Sequence, residues 1–173
     1  KNFGREDTTQ KSFAWDGWLR RKMERMAWLT MVQWPEAADE YKWFAFVDAD
    51  TWIDTTAATR MLAFYDCDAP IAVGRLHRGT TRVGSVQVFL GGGAGIFVAR
   101  GALTALRARW NQCGALLDDA AWAAREHRGG DECFGLCLQR AGVAQLDATW
   151  LQGFPANTLP PALRAAAVTF HRG

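Results

Sequence analysis

The residues Trp43-Phe44-Ala45-Phe46-Val47-Asp48-Ala49-Asp50-Thr51 join a short apolar run to two carboxylates spaced one residue apart. The run is too short for a membrane helix and is rich in aromatic residues, so it predicts a strand fully buried in a parallel sheet. Buried carboxylates are costly unless they are paired or bound to metal. We therefore expect Asp48 and Asp50 at the carboxyl end of this strand, where open α/β sheets bind their ligands and a divalent cation can be held.

The composition is that of a globular domain and argues against some classes of partner. The chain has 173 residues, of which 49% are hydrophobic, enough for a sizeable core in a single domain. A net charge of +2 without a dense Lys/Arg run argues against nucleic-acid binding. No stretch reaches the roughly 20 apolar residues of a membrane helix, and no signal peptide is visible. Since no methionine precedes Lys1, we expect residues 1–173 to be a fragment of a longer protein.

The cysteine pattern argues against a structural zinc site. None of Cys67, Cys113, Cys133 and Cys137 has a partner at the two-residue spacing of a zinc knuckle. An even count is compatible with disulfides in a secretory compartment and equally with buried thiols. We expect at least one disulfide.

Hydrophobic periodicity and turn residues predict an α/β domain. Helices are expected at 12–33, 55–64, 101–110, 118–127 and 131–140, and strands at 42–48, 71–74, 86–89 and 96–99. A turn is expected at 66–70, a basic loop at 77–82, and irregular structure after residue 140 up to a closing segment at 168–171.

Four short motifs follow one another along the chain: Asp48-Ala49-Asp50, Gly91-Gly92-Gly93-Ala94-Gly95, Gly130-Asp131-Glu132 and Phe170-His171. This ordered set resembles the fringe-like and core-1 β1,3-galactosyltransferase family of GT-A glycosyltransferases, most closely its fungal branch. The resemblance covers roughly residues 13–172. A lone Asp-x-Asp pair is a weak signal, whereas the ordered set is far more specific. The resemblance implies a GT-A-type, Rossmann-like mixed sheet flanked by helices, with the N-terminal nucleotide-binding portion largely missing.

The resemblance also implies a metal site formed by Asp48, Asp50 and His171. In that family the carboxylate at Asp50 binds a divalent cation, usually Mn²⁺, and the one at Asp48 contacts the nucleotide sugar or a metal-bound water. His171 would complete the site, and an imidazole beside two carboxylates suits manganese better than magnesium. The alternatives are a solvated turn for the two aspartates and an ordinary surface or core histidine.

Asp131 matches the family's catalytic carboxylate, with Gly135 four residues later as a second match. In that role it is the general base that takes a proton from the acceptor hydroxyl. The alternative is a simple helix cap. Glu132 lies about 100° further round a helix and should point elsewhere.

The glycine-rich segment lets the backbone lie close to a donor or acceptor sugar, with Gly92, Gly93, Ala94 and Gly95 as the expected donor-binding residues. Its alternative is a tight turn selected for backbone freedom. Two further groups of residues are compatible with either a functional or a structural role. The first group is basic and could contact either a diphosphate or only solvent: Arg75, His77, Arg78 and Arg82. The second group, Trp150 and Phe154, is aromatic and could form one wall of an acceptor site or belong to the core.

The function implied is an inverting, metal-dependent glycosyltransferase. It would move a hexose or N-acetylhexosamine from a UDP-sugar to a hydroxyl of a glycan or glycoprotein, forming a β1,3 linkage. Residues 1–173 would then be a single catalytic-domain fragment. Family members act in the Golgi lumen as type II membrane proteins, so any membrane association would come from an N-terminal anchor outside this fragment.

Two other functions are compatible with part of the pattern. A haloacid-dehalogenase-type phosphatase also begins with Asp-x-Asp after a strand, but it needs a later lysine, and no lysine follows Lys42. A non-catalytic carbohydrate-binding domain, or a degenerate transferase, is not excluded by the residues. Such a module would bind glycan without metal or nucleotide.

Overall fold

The computed structural model describes residues 40–48, 50–80, 86–118, 130–152, 157 and 159–171. The helix predicted at 12–33 lies outside them, as does the one predicted at 118–127 apart from its first residue. The described strands are β1 Trp43–Phe46, β2 Thr51–Ile53, β3 Ile71–Gly74, β4 Leu76–Thr80, β5 Val86–Leu90, β6 Ile96–Ala99, β7 Ala144–Asp147 and β8 Thr169–His171. The helices are α1 Thr55–Leu62, α2 Arg100–Asp118, α3 Gly130–Arg140 and α4 Pro161–Ala166, with a 3₁₀ turn at Gly92–Ala94.

The main sheet is mixed, as expected for this fold class. Its four strands lie in the order β1-β6-β3-β7. β6 is antiparallel to both β1 and β3, whereas β3 and β7 are parallel. It follows that β1, β3 and β7 run in one direction and end at the same edge of the sheet.

The prediction that the Trp43–Phe46 strand is fully buried in a parallel sheet is wrong. β1 pairs antiparallel with β6, with Phe46 opposite Ile96. Ala45 is exposed, and the other three residues of β1 are half-buried. An apolar run fixes neither the direction of a strand's neighbour nor how much of the strand is covered, because both depend on residues far away in the sequence.

Two small antiparallel sheets join the main one: β2 pairs with β8, and β4 pairs with β5. The prediction of a basic loop at 77–82 is therefore wrong for residues 77–80, which belong to the strand β4. Charged residues are tolerated there because a two-stranded ribbon exposes much of its surface. The prediction of irregular structure after residue 140 is also wrong in part, since it missed β7 and α4.

The core lies on both faces of the main sheet, because alternate residues of β3 and β6 point in opposite directions. Ala72 and Val98 pack with α2 and α3 on one face. Val73 and Phe97 pack with α1 and the C-terminal segment on the other. The sheet is thus flanked by helices, which confirms the predicted α/β class.

Local sequence explains where α1 begins. Asp54 precedes the helix in an extended conformation, and its carboxylate accepts a hydrogen bond from the Ala57 N–H at 2.9 Å. This satisfies one of the donors left unpaired at a helix N-terminus. The helix ends at Leu62, two residues before the predicted end.

The expected disulfide is not formed among the described cysteines. Cys67, Cys113 and Cys137 are thiols, and the last two lie buried between α2 and α3. A hydrogen bond with Cys137 lowers the pKa of the Cys113 thiol, against the effect of burial and with a smaller contribution from Arg140. Among the described cysteine side chains, the alternative of buried thiols is observed for Cys113 and Cys137, whereas Cys67 is half-buried.

Within the described ranges, none of the helices is both long enough and apolar enough to span a bilayer.

Candidate active site at one edge of the sheet

One edge of the main sheet brings the first two sequence motifs together. Phe46 at the end of β1 and Gly74 at the end of β3 both lie beside Ile96 at the start of β6. The chain therefore leaves β1 into Asp48 at the same edge where the segment Gly91–Gly95, here called the glycine turn, enters β6. Asp147 at the end of β7 pairs with Gly74 and so belongs to this edge as well.

The two aspartates lie on a tight turn after β1. The Thr51 N–H donates a hydrogen bond to the Asp48 carbonyl at 3.0 Å, which closes the turn. Asp48 is half-buried and Asp50 is exposed, while Ala49 lies outside the described residues. The expected position at the carboxyl end of the strand is therefore observed.

The backbone of His171 lies beside this turn. β8 pairs with β2 so that His171 is opposite Thr51, the residue that follows Asp50. Residues 48 and 171 are far apart in sequence, yet the small β2–β8 sheet brings the Phe-His motif to the Asp-x-Asp motif. The three residues predicted to hold a metal are thus collected at one place by the backbone.

The glycine turn is compact and largely buried. Gly92–Ala94 form a 3₁₀ turn that the Gly95 N–H closes by donating to the Gly92 carbonyl at 2.9 Å. Gly95 has a φ of +85°, a conformation that side chains with a Cβ rarely adopt. A Cβ at Gly92 would lie 2.5 Å from the Asp131 Oδ1 atom, so any larger residue there would displace the Asp131 carboxylate.

Asp131 contacts the glycine turn directly. The Gly92 N–H donates a hydrogen bond to Asp131 Oδ2 at 2.8 Å, across 39 residues of sequence. A helix cap does not require this contact, so a capping role alone does not account for the side chain's position. Glu132 points elsewhere, as predicted, because a Cβ at Gly79 in β4 would lie 2.9 Å from Glu132 Oε1.

Three contacts fix the first two turns of α3, which carry Asp131. The Gln87 side-chain amide donates to the Glu132 carbonyl at 2.8 Å, and the Gln145 side-chain amide donates to the Gly135 carbonyl at 3.0 Å. A Cβ at Gly135 would lie 2.6 Å from the Phe89 Cβ atom, so the helix lies very close to β5. This close packing is the physical reason for a glycine four residues after Asp131.

Several residues that hold the site together were missed at the sequence level, among them Gln87, Gln145, Asp147 and Thr169. The Asp147 carboxylate accepts from the Leu76 N–H at 2.9 Å and faces Arg75 at 3.5 Å, which fixes the start of β4. A carboxylate at the end of a strand indicates a candidate site residue, as it does for Asp48. Asp147 could be found in this way only if β7 were first recognised as a strand. The glutamines and the threonine carry no comparable signal.

Three of these basic and aromatic residues, Arg75, His77 and Trp150, have partners within the protein. Arg75 faces Asp147, and the His77 ring stacks on Phe89 with centroids 5.8 Å apart. Trp150 is half-buried and packs against Phe97, with ring centroids 6.4 Å apart. Packing thus accounts for Trp150, while Arg82 and Phe154 lie outside the described residues.

A second Asp-x-Asp sequence lies at the opposite edge of the sheet. Asp66, Cys67 and Asp68 have ligand atoms within 4.8 Å of one another. They precede β3, and Asp68 contacts the start of α2, where the Arg100 Nε–H donates to Asp68 Oδ1 at 2.8 Å. This cluster is remote from the glycine turn, and one of its carboxylates already binds a guanidinium.

Comparison with known proteins identifies one related group. A family model described as Fringe-like matches residues 9–151, which is most of the chain. The matched range includes the Asp48–Asp50 turn, the glycine turn and Asp131, and it ends before His171. No protein with a curated description matches the sequence.

Proposed function

We propose that this chain, which belongs to the Fringe-like family of glycosyltransferases, is an inverting, metal-dependent member of that family. The donor is a UDP-sugar carrying a hexose or an N-acetylhexosamine. The acceptor is a hydroxyl of a glycan or glycoprotein, and the new linkage is β1,3. The observation that carries this proposal is the direct contact between Asp131 and the glycine turn, at the sheet edge where the Asp48–Asp50 turn also lies.

Asp48, Asp50 and His171 form the donor set for a divalent cation in this proposal. Two carboxylates and one imidazole match the preference of Mn²⁺, and the pairing of β2 with β8 supports their assembly at one place. When bound, the cation would neutralise charge on the departing diphosphate. The part of this chain would be to hold the cation at the Asp48–Asp50 turn, where it can meet the donor's diphosphate. In full length the enzyme would act in the Golgi lumen.

Asp131 acts as the general base. One of its carboxylate oxygens is held by the Gly92 N–H, so the group is oriented before the acceptor arrives. The carboxylate accepts the proton of the acceptor hydroxyl as that oxygen attacks the anomeric carbon from the side opposite UDP. Attack from the opposite side inverts the configuration at that carbon.

Within the glycine turn, Gly93 is the residue that lies against the donor sugar. The space at Gly92 is filled by Asp131, and a Cβ at Gly95 would lie 3.2 Å from the Val47 side chain. Gly92, Ala94 and Gly95 are buried, whereas Gly93 is half-buried. Packing within the protein thus explains the other small residues, and Gly93 has the exposure that contact with a sugar requires.

The test is Mn²⁺-dependent hydrolysis and transfer with a panel of UDP-sugars, using the full chain with Asp131→Asn and Asp50→Asn alongside. We expect turnover with one donor that requires Mn²⁺ and is lost in both variants. A folded protein that binds Mn²⁺ and glycans but turns over no donor would instead identify a degenerate, carbohydrate-binding domain.

A further inference from the structure

Two threonine hydroxyls hold the carbonyl end of the glycine turn. Thr51 Oγ1 donates to the Gly93 carbonyl at 3.2 Å, and Thr169 Oγ1 donates to the Ala94 carbonyl at 2.7 Å. The N–H end of the same turn donates to Asp131. Three separate elements, β2, β8 and α3, are therefore hydrogen-bonded to one three-residue 3₁₀ turn.

Thr169 is completely buried, with 0% of its surface exposed. Its hydroxyl donates to Ala94 and also accepts from the Gln152 N–H at 3.2 Å. Its methyl group faces Gly95, where a Cβ would lie 3.9 Å away. A valine at this position would keep the shape and lose both hydrogen bonds, which leaves buried backbone groups unpaired. The hydroxyl is thus the informative part of this side chain.

The two threonines stand next to the residues that carry the proposed chemistry. Thr51 follows Asp50 directly, and His171 comes two residues after Thr169 on β8. β8, which carries His171, and β2, which begins directly after Asp50, are therefore each attached by a threonine hydroxyl to the turn that orients Asp131. In an inverting transfer, the base and the metal-bound diphosphate must face each other across the anomeric carbon, so their separation has to be fixed.

We propose that Thr51 and Thr169 are positioning residues that set the distance and orientation between the metal half of the site and the Asp131 base. This proposal rests on the transferase function proposed above. A misplacement of about 1 Å between reacting groups costs on the order of 100-fold in rate, so even a small shift of the glycine turn affects turnover.

The experiment compares four single variants in the full chain: Thr51→Val, Thr51→Ser, Thr169→Val and Thr169→Ser. Thr59→Val is the matched control, because its hydroxyl donates to the Thr55 carbonyl at 2.8 Å on the exposed side of α1. Each valine variant should lower kcat by about 10- to 100-fold, with Mn²⁺ affinity and donor KM changed less than about threefold. Each serine variant should restore most of kcat, and Thr59→Val should match the wild type.

A second measurement does not depend on activity. In the ¹⁵N-labelled chain, the Gly92 amide proton reports the hydrogen bond to Asp131, with Asp131→Ala, which removes the acceptor, as the reference for its loss. We expect the Gly92 resonance to move in both valine variants and to stay at the wild-type position in the serine variants and in Thr59→Val. Thermal melts identify any variant that is unfolded, and the half-buried Thr51 provides a second test if Thr169→Val does not fold.

The outcomes separate the two proposals. If the wild type turns over no UDP-sugar, the transferase function fails, and the Gly92 resonance alone decides whether the threonines position Asp131. If the wild type is active but both valine variants keep kcat within twofold, the positioning role is wrong. Serine variants that fail to restore kcat or the Gly92 resonance would overturn it too, because the hydroxyls would then not be responsible.

Discussion

The two halves of the site are built in different ways. The Asp131 half is fixed by packing, since α3 lies so close to β5 that only glycine fits at position 135, and Gln87 and Gln145 hold its backbone. The Asp48–Asp50 half is a turn at the end of β1, where the Thr51 N–H donates to the Asp48 carbonyl and Asp50 is exposed. The base is therefore placed by the core, whereas the carboxylates of the turn lie where a cation from solvent can reach them.

This difference suggests how each half should respond to perturbation. A change near Asp131 should act through the geometry of the base and be insensitive to metal concentration. A change at the Asp48–Asp50 turn should act through metal affinity and be partly compensated by more Mn²⁺, because binding depends on mass action.

The largest effect is expected from Asp131→Asn. Asparagine keeps the size of the side chain but cannot accept a proton as a base, so kcat should fall by about 1,000-fold or more. Because the loss is chemical, Mn²⁺ affinity should be unchanged and added Mn²⁺ should not restore activity. Steady-state kinetics over a range of Mn²⁺ concentrations provides the measurement. Substantial residual turnover would assign the base to another residue.

A smaller loss, of a different kind, is expected from Asp50→Asn. Removal of one carboxylate ligand should weaken Mn²⁺ binding by about 100-fold. Mutation of a residue that only hydrogen-bonds to a metal ligand already lowers metal affinity by about 10- to 100-fold. Activity should return in part at high Mn²⁺. Electron paramagnetic resonance of free Mn²⁺ measures the dissociation constant.

Asp66→Asn is the matched control for Asp50→Asn, because it changes an exposed aspartate of the second Asp-x-Asp sequence at the opposite edge of the sheet. It should leave the Mn²⁺ dissociation constant unchanged. The reverse result, in which Asp66→Asn loses Mn²⁺ affinity and Asp50→Asn does not, would move the metal site to the opposite edge of the sheet.

Gly135→Ala tests whether packing places the base. A Cβ there would lie 2.6 Å from the Phe89 Cβ and 3.1 Å from its Cα, so the helix or the strand must shift. Overpacking costs about 1–3 kcal/mol and outweighs the gain of about 1 kcal/mol from replacing glycine by alanine in a helix. We expect a lower melting temperature and a kcat reduced by about tenfold or more, with unchanged Mn²⁺ affinity.

The control for this variant is Gln139→Ala, an exposed position on the same helix. It should change neither stability nor kcat. If Gly135→Ala is stable and fully active, the contact between α3 and β5 is not what places Asp131.

The sequence predicted the elements whose signals are local. The strands at 71–74 and 96–99 are short apolar runs bounded by glycine or proline, and the structure has them at the predicted residues. The helix at 131–140 was found to within one residue, because the Gly129-Gly130 pair marks its start. The positions of Asp48, Asp50 and Asp131 were predictable for the same reason.

Features that depend on distant partners could not be predicted in this way. β7 has no distinctive pattern in Ala144-Gln145-Leu146-Asp147 and is a strand because it pairs with β3. The antiparallel neighbour of β1 is likewise decided by the later strand β6. The role of Thr169 depends on a hydrogen bond to Ala94 across 75 residues, and an isolated threonine in a strand gives no sign of it.

The smallest effect is expected from Gly93→Ala, at the point where the two halves meet. Gly93 does not have a positive φ, so alanine fits the backbone and should raise stability by about 0.5 kcal/mol through the unfolded state. If Gly93 lies against the donor sugar, the added methyl group should raise donor KM by about tenfold, while kcat and Mn²⁺ affinity stay close to wild-type values. Kinetics with the donor identified in the panel, together with a thermal melt, measures both effects. A loss of kcat with unchanged KM would mean that the methyl group disturbs the hydrogen bond to Asp131 instead, and the glycine turn would then belong to the base half alone.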